Sequence, residues 1–502
     1  LSLENPFEMR TPTPIHEIRE LLGNPELRGP DDILVEEVVF DSRKVRPGCI
    51  FVAVTGTQVD GHLFIPQVLA AGVRAVVLER WPIRGKLPEN VAFLKVPNSR
   101  EALARLAAFS YGYPARELKL VGITGTNGKT TVAHLLHGLF QGLGYKAGLI
   151  STVTNKVGRI IHDATLTTPD PLTLNALLRE MVDAGCAYAF MEVSSHAIDQ
   201  RRIAGLDFVG GVFTNITHDH LDYHKTFKKY IATKKQFFDN LPAEAFALTN
   251  LDDRRGSVMV QNTRARVVTY ALRNAADYRA RILENTFEGL KLQLDGYEFH
   301  SPLVGAFNAY NLLAAYATAR LLDQPPVETL SVLSALPTAE GRLQRLLHPK
   351  GKIIGIVDYA HSPDALEKVL KTLREILGRK GRVLTVVGCG GDRDKAKRPK
   401  MAAIAAKYSE QVFLTSDNPR SEDPAAILRD MESGLSTKVR KRVLTIADRR
   451  EAIRAAAQMA RRGDIVLVAG KGHEKYQEIK GQRLPFDDKA ELMQAFREAA
   501  EE

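Results

Sequence analysis

Thr124-Gly-Thr-Asn-Gly-Lys-Thr130 sets a lysine and a hydroxyl residue directly after two glycines, a spacing suited to holding a multiply charged anion. Backbone N–H groups around Gly125 and Gly128 can face an anion at a helix N-terminus, Lys129 adds a point charge, and Thr130 offers a hydroxyl to a magnesium ion. Thr126, Asn127 and Thr131 belong to the same stretch. The strict phosphate-loop pattern is not met, because Ile123 stands where its first glycine would be. Context supplies what the pattern lacks. Lys119-Leu-Val-Gly-Ile123 reads as an apolar strand, and Val132, Leu135, Leu136, Leu139 and Phe140 recur at helical spacing, so the glycines fall between a strand and an amphipathic helix. Nucleotide binding is the chemistry this predicts; a solvated loop with an incidental lysine is the bland alternative.

Other polar residues also stand at the ends of apolar runs, where α/β enzymes place their chemistry. Glu192 closes Tyr188-Ala-Phe-Met-Glu192, although a single glutamate there is as often a surface residue. Thr214-Asn-Ile-Thr-His-Asp-His-Leu-Asp-Tyr-His224 gathers three histidines and two aspartates after another strand. Such a cluster suits a transition metal, but beside a phosphate loop magnesium on oxygen ligands with one histidine is the expectation. Further on, three loops each follow a strand: Gly388-Cys-Gly-Gly-Asp-Arg393, Asp417-Asn-Pro-Arg420 and Gly470-Lys-Gly-His-Glu474. Gly388 and Gly390 begin a dinucleotide fingerprint, but Arg393 occupies its third glycine position. Asp-Asn-Pro is also good turn material.

The elements that position these residues are read from periodicity. Short strands near Val35–Phe40 and Ile50–Val54 and a helix-to-strand run through Gln67–Leu78 describe a small α/β unit. Strands at Ala147–Ile150, Tyr188–Val193 and Val209–Phe213 alternate with helices around the phosphate loop, which predicts a parallel sheet. A third unit opens with Ile353–Val357 and a helix striped by Leu366, Val369, Leu370, Leu373, Ile376 and Leu377. The expected fold class is α/β in three domains, spanning residues 1–116, 117–346 and 347–502: a small α/β domain, a central P-loop-type domain with a mostly parallel sheet, and a Rossmann-like doubly wound domain.

Bulk composition excludes more than it assigns. The chain has 502 residues, 44% hydrophobic and 25% charged, enough for several buried cores. Its formal charge of +10 is dispersed, without a basic block or an aromatic RNA-binding signature, so no nucleic-acid partner is expected; a polyanionic small substrate or simple solubility accounts for the excess. No apolar run reaches membrane-spanning length and the first residues lack a basic stretch before an apolar one, so a cytoplasmic protein without membrane insertion is expected. Cys49, Cys186 and Cys389 are widely spaced and read as small core residues.

Six ordered motifs carry a family resemblance. Thr124–Thr130, Met191-Glu-Val-Ser-Ser-His196, His218-Asp-His-Leu-Asp-Tyr-His224, Gly305-Ala-Phe-Asn-Ala-Tyr-Asn311, Gly341-Arg342 and Asp358-Tyr-Ala-His-Ser-Pro363 together resemble the Mur ligases, over nearly the whole chain. The resemblance implies that ATP sits on Gly125, Thr126, Asn127, Gly128, Lys129, Thr130 and Thr131, with Asn308, Asn311, Arg342 and Asp358 around the nucleotide. It implies Lys129, Glu192, His220 and Lys234 as the catalytic set. Mg2+ would lie near Thr130, Glu192, His220 and a carbamylated Lys234. Read from the residues alone, Lys225, Lys228, Lys229, Lys234 and Lys235 would equally make a solvated helix face, and Lys235 competes for the role.

The same resemblance implies a UDP-sugar site from Phe40, Ser42, Thr57, Gln58 and Val59 of the first domain with Thr167, Thr168, Ser194, Gln200 and Arg202 of the second. It implies an amino-acid site in the third domain from Arg393, Asp417, Asn418, Pro419, Arg420, Gly470 and Glu474, with Arg420 marking meso-diaminopimelate. The implied activity is an ATP-dependent amide ligase adding meso-diaminopimelate to UDP-MurNAc-L-Ala-D-Glu through an acyl phosphate, in peptidoglycan precursor synthesis. Asp358 and His361 are candidates for the base that deprotonates the amine. A lysine-adding Mur ligase or another ATP-dependent amide ligase is the nearest alternative, and a nucleotide-gated binding protein without ligation is the alternative of a different class.

Overall fold

The chain folds around three large sheets, in a computed structural model that describes residues 8–56, 59–81, 87–351, 353–378 and 381–501. The first is six-stranded, with Leu34–Val39, Cys49–Val52, Ala75–Leu78 and Ala92–Lys95 parallel and an antiparallel strand at each edge. Its core lies between that sheet and the helices Ile15–Leu21 and Ser99–Ser110 on one face, with the short helix Ile65–Ala70 on the other.

The second sheet has eleven strands. From Ala147–Ile150 across to Tyr278–Thr286 the pairing is parallel, in the order 147–150, 188–192, 119–124, 210–213, 246–250, 266–271, 278–286. Antiparallel hairpins flank this run at both edges, ending in Ile160–Asp163 on one side and Tyr297–Ser301 on the other. Helices Lys129–Gly142 and Ala306–Leu321 bury Leu135, Leu139, Phe140, Leu312 and Leu313 on one face. Helices Pro171–Asp183 and Phe227–Asp239 bury Leu174, Leu178, Met181, Phe237 and Phe238 on the other. A strand covered on both faces is mostly apolar, which is why the central strands 119–124, 147–150, 188–192, 210–213 and 246–250 are buried nearly throughout, whereas Tyr278–Thr286 toward the edge is largely polar and partly exposed.

The third sheet orders Gln344–Leu347, Ile354–Asp358, Ile465–Ala469, Val383–Cys389, Gln411–Ser416 and Val443–Thr445, parallel except for the first pair. The helix stripe expected at 366–377 is part of a helix over Pro363–Leu377, and Leu366, Val369, Leu370 and Leu373 are buried in the core. The three cysteines are free and buried. Among the described residues no helix is long and apolar enough to cross a membrane.

Candidate active site

Sheet register assembles the centre of the site. Glu192 pairs with Ile123 and Phe213 with Thr124, so three parallel strands end side by side. The phosphate loop, Glu192 and the Thr214–His220 segment therefore leave the sheet at one place. Thr214 Oγ1 and Asn215 Nδ2 donate to Asn127 O (2.7 and 2.9 Å), and Asn215 O accepts from Thr126 N (2.8 Å). This close bracing needs glycine. A Cβ on Gly125 would lie 1.9 Å from Thr214 Oγ1 and one on Gly128 2.5 Å from Asn311 Oδ1, and Gly128 has φ +91°. Lys129 Nζ donates to Gly125 O (2.9 Å) and Thr126 O (3.0 Å), folded over its own loop. Burial pushes its ammonium below the usual lysine range, with Glu192 and Asp219 opposing.

Thr130 Oγ1 donates to Glu192 Oε2 (3.1 Å), while Thr152 donates to the same carboxylate through its N–H (2.8 Å) and its hydroxyl (3.2 Å). A fully buried carboxylate against a threonine hydroxyl is an oxygen-rich pair of the kind magnesium takes. His220 lies on the loop with φ +53°, its ring edge-on to His196 at 5.0 Å, and enclosure pushes its imidazole down to about 4. Among the described residues no group of three or more His, Cys, Asp or Glu is arranged to hold a metal.

Lys234 is 1% exposed and points into the loop, donating to Gly125 O (2.9 Å) and Thr124 Oγ1 (3.4 Å). Burial, and then the charge of Lys129, hold its amine well below the ordinary lysine value. Lys235 turns the other way, into an ion pair with Asp239 at 2.6 Å. Helical rotation thus separates two adjacent lysines that look alike in sequence.

Beside the loop opens a cavity of about 300 Å3 lined by Asn308, Asn311, Arg342 and Asp358 together with Asp252 and Tyr310. Asn311 Nδ2 donates to Asn308 Oδ1 (2.9 Å). Arg342 Nη2 donates to Thr130 Oγ1 (3.1 Å), and its Nε is buried without a partner among the described residues, which leaves a donor for an anion. Asp358 accepts Leu343 N–H (2.7 Å) and Ala360 N–H (2.8 Å), one on each oxygen, so it clamps two loops; burial raises its carboxyl. His361 Nδ1 must donate to Tyr359 O (2.9 Å), which leaves Nε2 free to accept a proton.

Sequence reasoning missed Asp252, which accepts Tyr310 OH (2.8 Å) and the N–H groups of Leu272 (2.8 Å), Arg273 (2.9 Å) and Asn274 (3.0 Å). The same strand-end signal that picked out Glu192 was available, since Asp252 follows the strand Phe246–Asn250. It also missed Asp364, whose Oδ2 accepts Asn127 Nδ2 (3.1 Å), Thr217 Oγ1 (2.9 Å) and Lys368 Nζ (2.7 Å). Its local i,i+4 pair with Lys368 reads as an ordinary helix-face ion pair, and the partners that mark it, Asn127 and Thr217, come from the central domain.

Thr168, Ser194, Gln200 and Arg202 form one network. Arg202 Nη1 donates to Thr168 O (2.7 Å), Arg202 Nη2 to Gln200 Oε1 (2.7 Å), Ser194 N to Thr168 Oγ1 (3.1 Å), and Thr168 Oγ1 to Glu192 O (2.8 Å). Thr167 joins it through Thr152 Oγ1 (3.1 Å). Phe40 and Val59 are exposed on the first domain, Ser42 sits in the turn Ser42–Lys44, and among the described residues no hydrogen bond joins these three to that network. Thr57 and Gln58 lie outside the described residues.

In the third domain the strands Val383–Cys389, Gln411–Ser416 and Ile465–Ala469 are adjacent or next-adjacent, so their loops share one edge. Asn418 Nδ2 donates to Glu474 Oε2 (2.8 Å). Pro419 carries the chain into Arg420, which has φ +52° and donates to Gly391 O (2.8 Å), with Glu478 at 3.5 Å. Arg393 is exposed on the neighbouring loop, and a Cβ on Gly390 would lie 2.9 Å from Arg420 Nη1 and 3.8 Å from Arg393 Cγ, so both guanidinium side chains flank Gly390. A Cβ on Gly470 would lie 2.7 Å from Asp417 Oδ2, which brings the third loop against Asp417. Lys471, not expected as a site residue, is fully buried between them.

Comparison with known proteins agrees with this layout. Residues 34–111 match the family model described as Mur ligase family, catalytic domain, residues 123–319 the Mur ligase middle domain, and residues 341–472 the Mur ligase glutamate ligase domain. A UDP-N-acetylmuramoyl-L-alanyl-D-glutamate–2,6-diaminopimelate ligase of Parabacteroides distasonis is 52% identical over 483 residues, covering 96% of this chain and 99% of that one. A solved structure of a ligase of that name superposes with a TM-score of 0.68 at 34% identity, covering 98% of this chain and 100% of the other. The MurF ligase of Thermotoga maritima in complex with ADP, at 19% identity and a TM-score of 0.61 over 92% of this chain and 97% of that one, shares the fold.

Proposed function

Because the chain belongs to the Mur ligase family, we propose that it is an ATP-dependent amide ligase that adds meso-diaminopimelate to UDP-MurNAc-L-Ala-D-Glu in cytoplasmic peptidoglycan precursor synthesis. The observation that carries this reading is the bridging of the phosphate loop from the third domain, where Asp364 accepts from Asn127 and from Thr217 beside the loop. An ATP-type loop pressed against a domain that presents two arginines and two carboxylates on one sheet edge suits joining an activated carboxyl to an amino acid.

In this scheme the γ-carboxylate of D-glutamate attacks the γ-phosphorus of ATP and ADP leaves, giving an acyl phosphate. The amine of diaminopimelate then attacks the acyl carbon, losing its proton to a base, and phosphate leaves as the amide forms. Two anions must approach in the first step, and Lys129 and Arg342 supply the positive charge that permits it. Thr130 and Glu192 are the oxygen pair that would hold Mg2+, which when bound neutralises phosphate charge. Lys234 has its amine held well below the ordinary lysine value by burial and by Lys129, and it is aimed at the loop; a carbamate formed there with CO2 would turn a donor into an oxygen ligand. The His361 Nε2 lone pair is better placed for the base than Asp358, whose oxygens both serve backbone N–H groups. Arg393 and Arg420 would take the far carboxylate of diaminopimelate, and Asp417 and Glu474 its ammonium. Thr168, Ser194, Gln200 and Arg202, with Phe40, Ser42 and Val59 from the first domain, would hold the UDP-sugar.

We place the domain limits at 1–116, 117–343 and 344–502, moving the second limit ahead of Gln344 because Gln344–Leu347 pairs with the third sheet. The direct test incubates the protein with ATP, Mg2+, UDP-MurNAc-L-Ala-D-Glu and either meso-diaminopimelate or L-lysine, with product mass as readout. The expected product carries diaminopimelate; lysine addition, or ATP hydrolysis without any ligation product, would overturn the reading.

A further inference from the structure

The loop after the strand Ile465–Ala469 buries a lysine that the scheme above does not use. Lys471 Nζ donates to Asn418 Oδ1 (2.9 Å) and to Glu474 Oε2 (3.3 Å), and it stands 3.9 Å from Asp417 Oδ1. Its side chain has no exposed surface, and the ring of Tyr476 lies 5.5 Å from the nitrogen. A lysine wholly removed from water is rare and is retained where its charge is matched. Here two carboxylates surround one ammonium, so the cluster carries one negative charge in excess, which a single incoming ammonium group would cancel.

Hydrogen bonding shows which oxygen is left for that group. Glu474 Oε2 is taken by Asn418 Nδ2 (2.8 Å) and Lys471, whereas Oε1 meets only Tyr359 OH, at 3.5 Å, among the described residues. Asn418 Oδ1 accepts from Lys471 and from Glu478 N (2.9 Å), which fixes the direction of its amide and hence the donor that holds Glu474. We propose that Lys471 is a positioning residue for amino-acid capture: from the buried side it fixes the Glu474 carboxylate and the Asn418 amide, so that Glu474 Oε1 and Asp417 meet the ammonium of the incoming diamino acid. This rests on the ligase reading above.

The electrostatics agree with the geometry. Burial raises the Glu474 carboxyl, the charge of Asp417 raises it further, and Lys471 and Asn418 oppose both. The other ionisable groups facing Glu474 are Tyr359, Tyr476 and the buried guanidinium of Arg449. Without Lys471 the two carboxylates would confront each other with no cation between them, and the pair would keep a proton on the acceptor that the substrate needs. The amino acid would then have to displace that proton, a penalty that fades as pH rises.

The test compares the full chain with its Lys471→Met and Lys471→Arg variants, following kcat and KM for each substrate from neutral to alkaline pH. The Met variant should raise KM for meso-diaminopimelate by about tenfold or more at neutral pH, as expected when a buried charge pair loses one partner. Its kcat/KM for the amino acid should recover toward alkaline pH, while KM for ATP and for the UDP-sugar changes little. Lys471→Arg, which keeps the charge, should keep the unmodified pH profile. An unchanged KM for the amino acid, or a rise of all three KM values together with no displacement of the pH profile, would overturn the proposal and leave Lys471 a structural residue. If Lys471→Met does not fold, Asn418→Ala removes the amide between Lys471 and Glu474 and should show the same pH displacement; its absence overturns the proposal equally. Failure of the unmodified chain to form any diaminopimelate product is a separate result, which defeats the ligase reading and this inference with it.

Discussion

Three side chains carry the sharpest expectations at the scale of single residues. Lys129 is the cation nearest the phosphate cradle, bonded to two carbonyls of its own loop that ATP would replace. Lys129→Ala is expected to cut product formation by roughly 10³ to 10⁵, the range attached to other phosphoryl-transfer cations, with an unchanged thermal melt; a folded variant with near-normal turnover removes the lysine from the mechanism. Lys234 and Lys235 make an internal control. Lys234→Ala should lose activity and regain part of it with added short-chain carboxylates, while Lys235→Ala, which breaks only the pair with Asp239, stays close to normal. The reverse pattern would mean that the buried amine is merely structural. Arg420→Ala should weaken capture of diaminopimelate by about 2–5 kcal/mol, read as KM, because a guanidinium facing a carboxylate is lost. ATP and UDP-sugar KM should hold, and an unchanged diaminopimelate KM would reduce Arg420 to a turn residue held by Gly391 and Glu478.

Among elements, the third sheet depends on one buried guanidinium. Arg449 opens the helix Arg449–Met459 and forms a two-pronged pair with Asp488 (2.7 Å for each bond), the first residue of the helix Asp488–Glu501. It also donates to Ser416 O (3.4 Å) and Ala469 O (3.1 Å), the last residues of the strands that launch Asp417 and Gly470. Two helices and two strand ends therefore share one cation. Arg449→Met leaves Asp488 buried and unpaired, which should cost about 3–5 kcal/mol and show as a lowered midpoint in thermal or urea unfolding. Adding Asp488→Leu should return part of that loss, since the stranded charge is then gone. A double variant no better than the single one would show that the carbonyl contacts, not the ion pair, carry the stability.

For the whole molecule, few contacts cross from the third domain to the phosphate loop, and they converge. Asp364 receives Asn127 and Thr217, both on the central-domain side of the cleft. Polar pairs at a half-exposed cleft contribute at most about 1 kcal/mol each to folding, so Asp364→Ala should leave the thermal transition nearly unchanged. Its effect belongs to the arrangement of domains: with the bridge gone the closed form is less populated, so kcat should fall and KM for ATP rise by a few fold. Steady-state kinetics together with solution scattering, with and without ADP, measure both. Kinetics identical to the unmodified chain would mean that closure does not depend on this bridge.

The sequence by itself determined the local devices. The strand–turn–helix around Lys129, the strand-end position of Glu192 and the three loops that leave the third sheet are all written in spacing, because periodicity and glycine placement act over a few residues. Family resemblance then gave roles to residues such as Thr168 and Arg202 that no spacing singles out. Tertiary structure decided what depends on distant chain. The rotation of Phe227–Asp239, set by packing of Phe237 and Phe238 under the sheet, chose which lysine faces the loop. Asp252 gained its partners, and Asp364 its contacts with Asn127 and Thr217, only when separate strands and domains met. Lys471 became a buried cation only when Asp417, Asn418 and Glu474 closed around it. Each of these rests on burial and on contacts between residues far apart in the chain, which local pattern does not encode.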